Sequence, residues 1–208
     1  MKKGMFITFE GIDGSGKSTQ AKALSVSLKK IGIDSILTRE PGGSAGAEII
    51  RKLLVEGDPN KWSPETEMLL FTAARRDHLE KTIEPGLREG KVVISDRYVD
   101  STRVYQGVTR GDLRQTVDKL HQLMIGKEPD LTFIIDMDPK EALYRGLARA
   151  SGEDRFEDFG LEFQLKLRNG FLELKNNFKQ RCHIIDGSKS SQQISLEILN
   201  IVNNTLDD

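Results

Sequence analysis

Residues 5–18 read Met-Phe-Ile-Thr-Phe-Glu-Gly-Ile-Asp-Gly-Ser-Gly-Lys-Ser, an apolar run that opens into a glycine-rich loop. Met5–Glu10 predicts a buried strand, and the eight residues after it match GxxxxGK[ST] in full. An amphipathic helix begins near Ser18, with Ala21, Leu24, Leu28 and Ile31 at helical spacing. Strand, loop and helix in this order have one chemical use. The glycines let the backbone curl so that several N–H groups converge on phosphate oxygens, and the helix adds its positive N-terminal end. The loop is Gly11, Ile12, Asp13, Gly14, Ser15, Gly16, Lys17 and Ser18. Lys17 supplies a mobile charge for β- and γ-phosphates, and Ser18 a hydroxyl for Mg²⁺. The stretch therefore predicts nucleoside triphosphate binding, without saying which reaction follows.

Outward from this loop, the chain alternates short apolar runs with longer amphipathic stretches. Four further strands are expected at Asp34–Arg39, Lys91–Ser95, Leu131–Asp136 and Cys182–Asp186. Each is apolar nearly throughout rather than alternating, as in a parallel sheet covered on both faces. Helical spacing recurs at Ile49, Ile50, Leu53 and Leu54, at Leu113, Val117, Leu120 and Met124, and at Ile194, Ile198 and Ile201. The expected fold is α/β: a three-layer P-loop NTPase architecture with a five-stranded parallel sheet and helices on both faces. Two polar stretches, Glu56–Pro64 and Ser151–Asp158, read as surface insertions of a single domain spanning 1–208, the second within a lid at about 145–158.

Composition narrows the partners. Across 208 residues, Lys+Arg is 31 and Asp+Glu 32, a net charge of −1, which argues against a bulk-electrostatic nucleic-acid binder. No apolar run approaches the length of a membrane span, and Glu10 ends the N-terminal run before a signal-peptide core forms. A single cysteine, Cys182, excludes an intrachain disulfide and fits a reducing compartment. A cytoplasmic, soluble chain is expected. Gly42-Gly43-Ser44-Ala45-Gly46 matches the G-x-S-x-G nucleophile elbow, but Glu40-Pro41 separates it from the second strand. It reads instead as a loop with a helix N-cap at Ser44.

Three more segments follow strands. Thr38-Arg39-Glu40-Pro41-Gly42-Gly43 follows the second, Asp96-Arg97-Tyr98 the third, and Arg145, Arg149 and Arg155 the fourth. With the loop at 11–18, this set resembles the bacterial thymidylate kinases, nucleoside monophosphate kinases, over essentially the whole chain. The resemblance implies transfer of a phosphoryl group from ATP to dTMP, giving dTDP with Mg²⁺ as cofactor, in a cytoplasmic homodimer. Two alternatives stay open: another nucleoside or nucleotide kinase of the same fold, and a P-loop NTP-dependent regulatory module.

The residues suit that chemistry. Ligands of an open parallel sheet gather at the carboxyl ends of its strands. There Asp96 can hold a Mg²⁺ shell, and Arg97 offers a planar fork for the acceptor phosphate. Phe71 and Arg75, four apart on a helix, share a face that can stack a base and hydrogen-bond its carbonyl, although a core phenylalanine with a surface arginine is the commoner arrangement in general. The resemblance implies the first, with Phe71 on thymine and Arg75 on its exocyclic oxygen. It also implies that Ser101, Thr102, Tyr105 and Gln106 contact the nucleoside, that Asp13 meets the sugar hydroxyl, and that Arg51 reaches the acceptor phosphate. Some family members carry an arginine at the position of Gly14. This chain lacks it and carries Arg145, Arg149 and Arg155 instead, which resembles the bacterial subtype and implies a mobile lid that brings these arginines onto the transferring phosphoryl group.

Overall fold

All six residues of β1 (Met5–Glu10) are buried. They are buried because β1 is the central strand: the computed structural model shows one parallel sheet in the order β2-β3-β1-β4-β5. The other strands are β2 (Ser35–Arg39), β3 (Val92–Asp96), β4 (Leu131–Asp136) and β5 (Cys182–Asp186). The structure describes residues 4–58, 61–109, 112–147 and 160–207. The expected strands are present. The third is shifted by one residue, since the ladder pairs Met5 with Val92 and Phe9 with Asp96. Asp96 is thus the last residue held in register with β1, beside the loop that follows it.

Helices cover both faces. On one, α1 (Lys17–Lys30) and α9 (Ser191–Asp207) pack Leu24, Leu28, Ile194 and Ile198 onto Met5, Ile7, Phe9 and Phe133. On the other, Phe6 meets Met68 of α3 (Pro64–His78), Val99 of α5 (Val99–Val104) and Val117 of α6 (Arg114–Met124). Phe6 also lies edge-on to Tyr98, their ring centroids 4.8 Å apart. Toward β5, Phe163, Leu167 and Phe171 of α8 (Gly160–Asn177) close over Val104, Tyr105 and Ile134. Among the described residues the remaining α-helices are α2 (Ala45–Val55), α4 (Glu84–Arg88) and α7 (Pro139–Leu147), and a π-helical turn at Leu79–Ile83 joins α3 to α4. At the start of α3, the Ser63 hydroxyl accepts from the Thr66 amide at 3.2 Å, and Pro64 opens the first turn. This fixes the register of the helix that carries Phe71 and Arg75. The α5 helix widens into a π-helical turn at Tyr105–Thr109, a distortion frequent at functional sites.

Arg149, Arg155 and the Ser151–Asp158 stretch lie outside the described residues. Among the described residues, no helix is long and apolar enough to cross a membrane.

Candidate active site

The crevice opens where the strand order reverses around β1, at the carboxyl ends of the strands. A cavity of about 400 Å³ lies there. Asp13, Gly14, Gly16, Lys17 and Ser18 line it from the loop, Asp96 and Arg97 from the end of β3, and Arg51 and Phe71 from α2 and α3. Ser101, Thr102, Tyr105 and Gln106 complete the wall, so distant segments of sequence converge on one space. Arg39, Glu40 and Val55 line it as well, and sequence reasoning assigned none of them a role. Arg75 and Arg145 are not among the lining side chains: Arg75 is buried behind the wall and Arg145 is exposed on α7.

The phosphate loop has the backbone its glycines promise. Gly14 sits at φ +81°, and a Cβ there would come within 2.0 Å of the Ala142 carbonyl oxygen on α7. An arginine at this position has no room unless α7 moves. Lys17 is buried and donates to the Ile12 carbonyl at 2.7 Å, with Asp13 at 3.7 Å. Burial, reinforced by the positive Arg97, brings its pKa down to about 8.

Arg97 is the hub of the site. It is a non-glycine residue at φ +69°, a conformation that costs roughly 1–3 kcal/mol and survives only where its surroundings over-determine it. They do: its amide donates to the Phe9 carbonyl at 2.9 Å, and its carbonyl accepts from the Ser95 hydroxyl at 2.8 Å. The guanidinium donates to Asp13, to Tyr105 Oη at 3.2 Å and to Ser101 Oγ at 2.8 Å. Tyr105 in turn donates to Asp13 at 2.7 Å. Burial acts to raise the Asp13 pKa, but Arg97 and Lys17 outweigh it and hold the carboxyl well below the usual carboxylate range.

Beneath this hub lies Glu10, fully buried. It accepts from the Tyr98 amide at 2.8 Å and from the Ser101 hydroxyl at 2.6 Å, tying the strand end to α5. Burial and the nearby Asp100 carboxylate push its pKa up to about 7. Ser101 is thereby committed to Glu10 and Arg97. A carboxylate ending an otherwise apolar strand was the available signal for Glu10.

A second buried chain of polar groups runs from the other wall. Arg75 Nη2 donates to Thr102 Oγ1 at 2.9 Å, and Arg75 Nε to Glu40 at 2.8 Å. Glu40 also meets His78 Nδ1 at 3.0 Å, and His78 Nε2 lies 2.8 Å from Thr38 Oγ1. The loop can approach this closely because position 43 is glycine: a Cβ there would sit 2.4 Å from His78 Nε2. Ser44 precedes α2, as expected, but its hydroxyl donates to Asp77 at 2.6 Å and meets no histidine, so the elbow reading has no geometric support.

The donor set also fits a divalent cation. Asp96 Oδ1 is buried with no hydrogen-bond partner among the described residues, and Ser18 presents a hydroxyl to the same cavity. Hard oxygen donors of this kind suit Mg²⁺.

A family model for thymidylate kinase matches residues 9–198. The chain belongs to the thymidylate kinase family. It is 66% identical to the thymidylate kinase of Dinoroseobacter shibae over 94% of this chain and 95% of that protein. It is 62% identical to that of Jannaschia sp., over 97% of each. Its fold matches the crystal structure of thymidylate kinase from Ehrlichia chaffeensis with a TM-score of 0.78 and 38% identity, covering 96% of this chain and 99% of that one. Set on this thymidylate kinase frame, the phosphate loop and Phe71, Thr102 and Gln106 line one and the same cavity.

Proposed function

We infer that the chain transfers the γ-phosphoryl group of ATP to dTMP, giving dTDP and ADP. The observation that carries the reading is that one cavity is lined at once by the phosphate loop and by the Phe71 ring with the Gln106 amide. Two nucleotides placed there would meet phosphate to phosphate. The loop amides and Lys17 bind the donor phosphates, and Arg97 and Arg51 take the acceptor phosphate. Asp13 and Tyr105 bracket the sugar, Phe71 stacks on the base, and Thr102 and Gln106 hydrogen-bond its edge. Arg75, clamped by Glu40, holds Thr102 and the wall around it.

Ser18 and Asp96 would hold Mg²⁺, which when bound supplies charge neutralisation at the donor phosphates. Little covalent chemistry falls to the protein. It holds the two phosphates in line, excludes water and meets developing charge with donors already in place. Arg145, Arg149 and Arg155 add to that charge from the lid. The protein works as a homodimer, and Leu69 of α3 and Leu123 and Met124 of the neighbouring α6 are exposed apolar side chains that a second copy would cover.

A coupled ADP-release assay across the common nucleoside monophosphates tests the reading. Preference for dTMP with ATP is the expected outcome. Equal rates with all monophosphates, or none with dTMP, would overturn it, and light scattering decides the dimer.

A further inference from the structure

Gln106 stands on the π-helical turn after α5, fully buried, on the cavity wall with Phe71 and Thr102. Its two amide atoms have different fates. Nε2 donates to Oε2 of Glu67 at 3.0 Å. Oε1 is buried and has no hydrogen-bond partner among the described residues. Glu67 lies on α3, one turn before Phe71, and is itself fully buried. With Glu67 Oε2 accepting from Nε2, the nitrogen of the Gln106 amide is held on Glu67 and its oxygen is turned elsewhere. Of the two flips open to a glutamine, one is chosen. A buried acceptor left without a donor is costly, and whatever fills the cavity is asked to supply one.

Thymine carries that donor at N3–H, between two carbonyls. Cytosine carries a bare N3 acceptor beside an amino group, and would set acceptor against acceptor. We propose that Glu67 is a positioning residue for base selectivity: by holding Nε2 it presents Oε1 of Gln106 to the N3–H of a thymine or uracil ring. Glu67 touches no substrate and acts through Gln106. The proposal rests on the reading of this cavity as the dTMP site.

The test compares kcat/KM for dTMP and for dCMP at saturating ATP. In Glu67→Gln the residue can face Gln106 with either its oxygen or its nitrogen, so both flips open. The ratio of dTMP to dCMP is expected to fall about tenfold or more, with the KM for ATP unchanged. A loss shared equally by both substrates leaves the ratio intact and overturns the proposal, making Glu67 a packing residue. Should Glu67→Gln not fold, Glu67→Met removes the acceptor at similar volume, and the same fall in ratio is expected. Gln106→Ala separates the two levels. If it leaves dTMP turnover untouched, the dTMP reading of the cavity fails. If it impairs dTMP while Glu67→Gln keeps the ratio, only the positioning role is lost.

Discussion

Nε of Arg75 lies 2.8 Å from Oε2 of Glu40, with the two side chains only 3% and 4% exposed. The arginine sits on α3 and the glutamate follows β2, so this pair joins two walls of the cavity. Deleting one partner of such a buried pair leaves the other charge unpaired, which costs about 3–5 kcal/mol. Glu40→Ala is therefore expected to lower stability by that order in urea unfolding. In the folded fraction it should raise the KM for dTMP more than that for ATP. An unchanged midpoint and equal KM values would show that the clamp carries nothing.

Lys17 provides a pH signature. Its pKa stands at about 8, below the ordinary lysine value, because burial disfavours the ammonium and Arg97 repels it. The free protein thus carries a charged Lys17 below pH 8 and a neutral one above. Triphosphate favours the charged form, so ATP binding should take up a proton at pH 8.5 and almost none at pH 7. Calorimetry in two buffers of different ionisation enthalpy reads this directly, and absence of uptake at pH 8.5 would remove Lys17 from the phosphates. Lys17→Ala should lower turnover by about 100- to 1,000-fold with the fold intact.

Phe71 lines the cavity rather than the core. Stacking of a base on an aromatic ring is worth about 1–3 kcal/mol, so Phe71→Ala should raise the KM for dTMP by about 5- to 150-fold and spare that for ATP. Equal effects on both substrates would make it a packing residue.

The arginines of the proposed lid are tested as a set. An interaction made only in the transition state lowers kcat and leaves ground-state binding alone. At least one of Arg145→Ala, Arg149→Ala and Arg155→Ala should lower kcat by more than about tenfold, a loss of roughly 1.4 kcal/mol, with little change in the dissociation constants of ATP and dTMP. If none does, charge stabilisation rests on Lys17, Arg97 and the metal.

The phosphate loop, the five strands and the Asp96-Arg97 corner were legible in the amino-acid sequence because each is written in neighbouring residues. Glycines at fixed spacing declare a backbone that must curl, and unbroken apolar runs declare strands covered on both faces. The partners of these elements were not legible. Glu10 meets Ser101 across 91 positions, Arg75 meets Glu40 across 35, and Gln106 meets Glu67 across 39. No local pattern encodes such pairs, because what makes them obligatory is burial, and burial exists only once the helices have closed over the sheet. The helical spacing put Phe71 and Arg75 on one face of α3. Only the packed structure separated them, leaving the ring in the cavity and drawing the guanidinium onto Glu40, where an unpaired charge could not have been buried.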